Sequence, residues 1–230
     1  MHRRHALKLL SGTAAGLGLG YAVPAAAACQ LFPQTAGWRF LVLRHGNVIG
    51  EHVFRFSRRD GDFVVEVAID IAVDLLGVTL FRFTHRAEEV WREGWLHALV
   101  SATDDDGTLW RLQAERRDGA LRGHVNDVAF DVSGFIVPAS LWHRDTTLSR
   151  ALFDTIDGRM KLIDSKVLGE EAVGVAGAET AARHFRLTGQ LERDVWYDSD
   201  CAIAQVTFPA RDGSLITLER QEPAVTPKKP

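Results

Sequence analysis

Between Phe63 and Asp74 the chain alternates without a break. Phe63, Val65, Val67, Ile69, Ile71 and Val73 take one parity, and Val64, Glu66, Ala68, Asp70, Ala72 and Asp74 take the other. A period of two held over this length is a β-strand with one face turned to a core. Burying the six apolar side chains contributes, as an upper bound, on the order of 10 kcal/mol, which is the scale of a whole domain's net stability. This strand therefore anchors the fold, and Ile69→Asp is expected to unfold it.

The rest of the chain reads as strand after strand. Asp-Gly pairs stand at Asp60-Gly61, Asp106-Gly107, Asp118-Gly119, Asp157-Gly158 and Asp212-Gly213, and Glu93-Gly94 and Asn126-Asp127 add similar breaks. Such pairs favour the positive backbone angles of tight hairpins. Between Trp38 and Gln221 the prolines are Pro138 and Pro209 alone, so almost every amide is available to a ladder. Short turns between closely spaced strands imply an antiparallel meander. One helical stretch is expected after Pro138, capped by Asp145 and carrying Leu148, Leu152 and Phe153 at helical spacing.

A two-residue turn at Glu93-Gly94 sets Trp91 opposite Leu96. Simple alternation then puts Phe81, Phe83, Trp91, Leu96, Ala98, Val100 and Ala102 on one face, and Val78, Leu80, Val90, Trp95, Leu99, Trp110 and Leu112 on the other. A hairpin apolar on both sides needs cover on both, from a second layer, the helical stretch or a bound apolar ligand.

The amino-terminal segment reads as an address. Arg3-Arg4 precede an apolar stretch from Leu9 to Val23 and then Pro24 and four alanines, the arrangement of a twin-arginine export signal ending at Ala28. The stretch is too short and too glycine-rich to be a membrane span, and no later segment is long and apolar enough for one. The expected organisation is a signal over residues 1–28, a single β domain over 29–222 and a disordered tail over 223–230, with the mature chain periplasmic or secreted. Cys29, the first mature residue, has three readings: a lipidated anchor, a disulfide to Cys201, or a free thiol. The 27 basic residues include Arg3, Arg4 and Lys8, and the first 28 residues hold no acid, so the mature chain carries 24 basic against 30 acidic residues. That balance argues against nucleic acid as a partner.

Signs of chemistry are few. Asp104-Asp105-Asp106-Gly107 lacks the spaced ligands of a calcium loop and reads as a hairpin tip. His45, His52, His85, His97, His124, His143 and His184 lack the close pairing of a local metal site, and no nucleophile elbow or phosphate loop is present. No metal, cofactor or catalytic residue is assigned. The large amphipathic rings of Trp142-His143, Glu89 with Trp91, and Trp196-Tyr197-Asp198 suit a pocket mouth or a hydrogen-bonded corner of the core.

A family resemblance accompanies these groupings. Trp38, Gly46-x-x-Ile49-Gly50, Glu89-x-Trp91-x-x-Gly94-x-Leu96, Thr103-x-x-x-Gly107, Trp196-Tyr197-Asp198 and Asp212-Gly213-Ser214 resemble an uncharacterised family of exported bacterial proteins with a Trp-Tyr-Asp signature. More distantly, that family resembles the curved half-barrels of periplasmic lipoprotein carriers. The expected fold is all-β and mainly antiparallel, a curved sheet, half-barrel or barrel of about 10–12 strands with one short helical insertion. The expected role is non-enzymatic: binding of an apolar small molecule or lipid on the concave face, with Phe81, Phe83, Trp91, Trp95, Trp110 and Trp196 as contacts. The alternatives are a hydrolase-like enzyme using His143 or His184 with Asp198, and an envelope protein-protein interaction module.

Overall fold

The short turns do what their composition dictates. In the computed structural model, which describes residues 29–75 and 78–221, the pairs His45-Gly46, Asp60-Gly61, Glu93-Gly94, Asp106-Gly107, Asp118-Gly119 and Ala176-Gly177 all take positive φ, between 50° and 90°. Each is a two-residue hairpin whose twist matches that of its flanking strands. Asp157-Gly158 and Asp212-Gly213 instead sit in longer loops, with positive φ at the glycine only. The expected export signal over 1–28 and the tail over 223–230 lie outside the described residues.

The strands are β1 (Gly37–Arg44), β2 (Asn47–Arg59), β3 (Asp62–Leu75), β4 (Val78–Arg92), β5 (Trp95–Asp105), β6 (Thr108–Arg117), β7 (Ala120–Val125), β8 (Val128–Ser133), β9 (Ala151–Phe153), β10 (Met160–Val175), β11 (Ala178–Gly189), β12 (Arg193–Tyr197), β13 (Ile203–Pro209) and β14 (Leu215–Gln221). They form one 14-stranded antiparallel sheet in the order β8 to β1, then β14 back to β9. The fold is therefore all-β, as expected, with more strands than expected. The first and last strands lie side by side at its middle, Leu41 opposite Glu219 and Leu43 opposite Thr217. Two meanders run outward from that seam, and the sheet curls until Phe130 of β8 packs on Phe153 of β9 with ring centroids 5.5 Å apart.

Strand β3 carries the inward face that its alternation demands. Phe63, Val65 and Val67 are buried and Glu66, Asp70 and Asp74 are exposed, while Ile69, Ile71 and Val73 are only half-buried. The same row of side chains thus leaves a packed core at one end and reaches a less crowded region at the other.

Two expectations need correction. Trp91 does lie opposite Leu96, but the pairing then shifts, with Val90 opposite Ala98. This β-bulge reverses the parity of β5 beyond it. Leu99, Ser101 and Thr103 point inward and are buried, whereas Ala102 and Val100 point outward, Val100 with 52% of its surface exposed. Leu112, paired with Ser101, joins the inner face. The outer face of the hairpin needs no second layer, for Val78, Leu80 and Trp95 are exposed there.

The helical stretch is a single 3-10 turn, Thr146–Leu148, and Asp145 makes no side-chain cap bond to it. Ser149 is already extended, Leu148 is exposed, and Leu152 and Phe153 are buried in β9. Strand pairing wins because β9 is bonded on both sides. Met160, Lys161 and Leu162 of β10 flank one edge, and on the other Phe153 accepts from the Ala139 amide at 2.8 Å and donates to the Val137 carbonyl at 2.8 Å. A helix turn there would forfeit both sets of bonds.

Between β8 and β9 the chain turns into the concavity. Ile136, Val137, Leu141, Trp142 and His143 are all buried. At one end of the curl Trp142 closes an aromatic cluster with Phe32, Phe56, Phe63 and Trp91, with centroid separations of 5.4–6.4 Å. Leu141 takes a left-handed φ of 68°, a costly geometry for a leucine. Its carbonyl accepts a 2.7 Å hydrogen bond from the buried Tyr197 hydroxyl.

Candidate functional site

The other end of the curl is not filled. Past the aromatic cluster the inner face encloses a cavity of about 590 Å³, within the range of small-molecule sites. Its walls are mainly apolar: Val67, Ile69, Ile71 and Val73 of β3, Phe81 and Phe83 of β4, Val206 and Phe208 of β13, Ile216 and Leu218 of β14. The buried loop contributes Ala139, Ser140 and Leu141. β3 explains why this chamber and the core are one surface, since its six inward residues run from packed phenylalanine to cavity wall.

Polar and charged groups break the lining at several points. His52 and His85 flank Ile69 across adjacent strands, and both are buried. His85 Nδ1 lies 2.8 Å from Thr103 Oγ1, and its Nε2 lies 3.4 Å from Thr155 Oγ1. His52 Nε2 is buried and has no hydrogen-bond partner among the described residues, a polar atom that the fold itself leaves unsatisfied behind the wall. Burial drives the His52 pKa down to about 3, with the neighbouring His85 adding to the shift. Burial, and then Arg86, lowers His85 to about 4. Both are neutral imidazoles at neutral pH. Arg44, Asp105, Arg193, Arg211 and Asp212 also line the cavity, where Arg44 is bonded to Asp212 and Arg211 to Asp105.

Beside the chamber, Glu89 ties the buried loop to the sheet. Its carboxylate is fully buried and accepts from Trp91 Nε1 at 3.1 Å, Trp142 Nε1 at 2.8 Å and Ser140 Oγ at 2.8 Å. Burial raises its pKa to about 7 against the pull of these three donors. His143 stacks on Trp91 at 4.8 Å, and burial lowers its pKa to about 4.

The sequence-expected contacts divide. Phe81 and Phe83 line the cavity. Trp91 is buried in the aromatic cluster, and Trp110 packs on the core opposite Thr103. Trp95 is exposed against Phe135 and Arg116. Trp196 belongs to a second cluster, stacked on His184 at 4.0 Å and donating to Glu171 at 3.0 Å. Nor does the fold pair Asp198 with either histidine. Asp198 accepts from Arg220 at 2.7 Å and from the backbone of Asp200 and Ala202, His143 Nδ1 accepts from the Asp145 amide, and His184 bonds to Glu171 and Asp194. The Trp-Tyr-Asp run therefore braces the outer sheet, the buried loop and the loop of Cys201 in turn.

Cys29 and Cys201 form a disulfide across 172 residues, consistent with an oxidising, extracytoplasmic location. Sequence reasoning missed His52, His85 and Arg193. The first two had a signal: each holds an inward parity among phenylalanines, His52 before Phe54 and Phe56, and His85 after Phe81 and Phe83. Arg193 had none.

Fold and cavity together define a curled antiparallel sheet, plugged at one end by its own loop and hollow at the other. The chain belongs to the family described as a domain of unknown function, DUF6134, whose model matches residues 40–221. Among solved structures it is similar to a beta-barrel-like protein of the domain of unknown function DUF1849 from Brucella abortus. The two share 10% identity over 80% of this chain and 94% of that one, with a TM-score of 0.54, a likeness of fold alone. The comparison with curated proteins gave no match.

Proposed function

We propose that this is an exported, non-enzymatic binding protein that houses an apolar or lipid-like molecule in the hollow end of its sheet. The observation that carries the reading is the 590 Å³ chamber, walled by the same β3 row that builds the core and left unpacked by the loop that fills the other end. A cavity of this volume forfeits dispersion contacts that a packed interior would make, and an apolar occupant restores them. Polar side chains at the cavity, among them Arg44, Arg193 and Arg211, add polar points to an otherwise apolar wall, the usual pattern of a pocket that orients its ligand. Export by the twin-arginine route, suggested by Arg3-Arg4, accords with the disulfide.

Native mass spectrometry of protein extracted gently from its host, with displacement of a fluorescent fatty acid by extracted lipids, tests the reading. The expected result is a bound small molecule and competitive displacement. A bare mass together with no binding of the fluorescent probe contradicts it.

A further inference from the structure

The charges at the cavity are unevenly shared. Among the described residues three carboxylates line it and two hold a cation closely: Asp212 holds Arg44 and Asp105 holds Arg211, while Asp154 lies 3.6 Å from Lys161, which sits closer to Asp157 at 2.5 Å. Arg193 differs. Its guanidinium lies 4.1 Å over the Phe208 ring and donates to the Glu192 carbonyl at 2.7 Å, and among the described residues it forms no ion pair. Loss of water around it lowers its pKa to about 10, even with Asp154 and Glu192 acting in the opposite sense.

Register fixes where this cation stands. Arg44 pairs with Ile216 and Ile216 with Phe208, and Arg193 stands beside Phe208, next to the Asp194–Thr207 pair. All four side chains of that row line the cavity. One arginine of the row is neutralised by Asp212, and the other is held on an aromatic face with donors to spare. A largely desolvated guanidinium with acids nearby but none in contact is costly, and its planar fork suits a carboxylate or phosphate. An anion carried on an apolar chain satisfies both the fork and the walls.

We propose that the cavity takes an amphiphile with one anionic oxygen head group, held by Arg193, with the chain lying along Ile69, Ile71, Phe81 and Phe83. The inference rests on the apolar-ligand reading above and adds the polarity of the ligand.

Calorimetric titration of the disulfide-bonded protein with laurate, dodecyl phosphate, dodecanol and dodecyltrimethylammonium, each below its micelle concentration, tests it. Laurate or dodecyl phosphate should bind at least about tenfold more tightly than dodecanol, in line with a charge-assisted bidentate contact, and the preferred anion identifies the head group. Arg193→Met should bring the anions to the level that dodecanol shows on the same variant, and Arg193→Lys should keep part of the preference. Thermal melts check that both variants fold, and if Arg193→Met does not, Arg193→Gln asks the same question. Equal binding of anion and alcohol by the wild type, preference for the ammonium, or an anion preference that survives in the methionine variant overturns the head-group assignment. If no chain binds at all, the apolar-ligand reading itself fails.

Discussion

His52, His85, His143 and Glu89, buried around the chamber and its plug, make opposed demands on pH between 5 and 7, and their balance can be worked out. His52, His85 and His143 titrate near 3, 4 and 4 in the fold, against 6.5 when exposed. Their contribution is fully present above pH 6.5 and is lost as pH falls, because the unfolded chain takes up protons that the fold refuses. From pH 7 to pH 5 each loses roughly 2 kcal/mol, about 6 kcal/mol for the three. Glu89 runs the other way. Its folded pKa of about 7 lies above the ordinary 4.5, so its contribution is present below pH 4.5 and is lost as pH rises through 7; acidification from pH 7 to pH 5 returns about 2 kcal/mol. Glu89→Gln removes that return while keeping the network, since the amide oxygen accepts from both indoles and the amide nitrogen donates to Ser140. Urea melts of wild type and variant at the two pH values, with the disulfide intact, should show these groups costing the wild type about 4 kcal/mol on acidification, and the variant should lose about 2 kcal/mol more than the wild type. Other carboxylates contribute equally to both proteins and cancel. An identical pH dependence in the two would refute the upward shift of buried Glu89.

Other consequences are more local. Leu99→Ala should cost about 2–5 kcal/mol and Val100→Ala less than about 0.5 kcal/mol in the same urea melts; equal costs would remove the bulge in β5. Reducing the disulfide should lower stability by up to about 5 kcal/mol on the chain-entropy estimate for a closed loop of this length, read as a fall in thermal midpoint on adding reductant. Asp198→Ala strands Arg220 in a buried pair whose side chains are 10% and 11% exposed, and should cost about 3–5 kcal/mol; a neutral result would free Asp198 for another role.

The legible part of this protein was local. The parity of β3 and most of the glycine turns required only backbone period and turn chemistry and appear in the fold as written, whereas Asp157-Gly158 and Asp212-Gly213 fall in longer loops. The bulge after Leu96 was not legible, because one extra residue reverses every later side chain of β5 without changing its composition. The helical spacing of Leu148 and Leu152 was real but idle: two strand partners for Phe153 outbid one turn of helix, and those partners come from Val137 and Met160. In the candidate site, Phe81 and Phe83 followed from the inward parity of β4. The tryptophans misled, since large rings serve the plug and the outer cluster as readily as a chamber. Arg193 was invisible because its meaning lies in the missing partner, which only the three-dimensional pairing of its neighbours reveals.

The hollow end of the sheet can be filled deliberately. Ile71→Trp projects an indole into the chamber from the middle of its wall, where β3 is half-buried rather than packed. Equilibrium binding of a fluorescent fatty acid to wild type and to this variant, with thermal melts alongside, addresses the cavity directly. Saturable binding by the wild type, abolished in a variant that melts no lower, is the predicted result; an equally tight complex with the filled variant would contradict it.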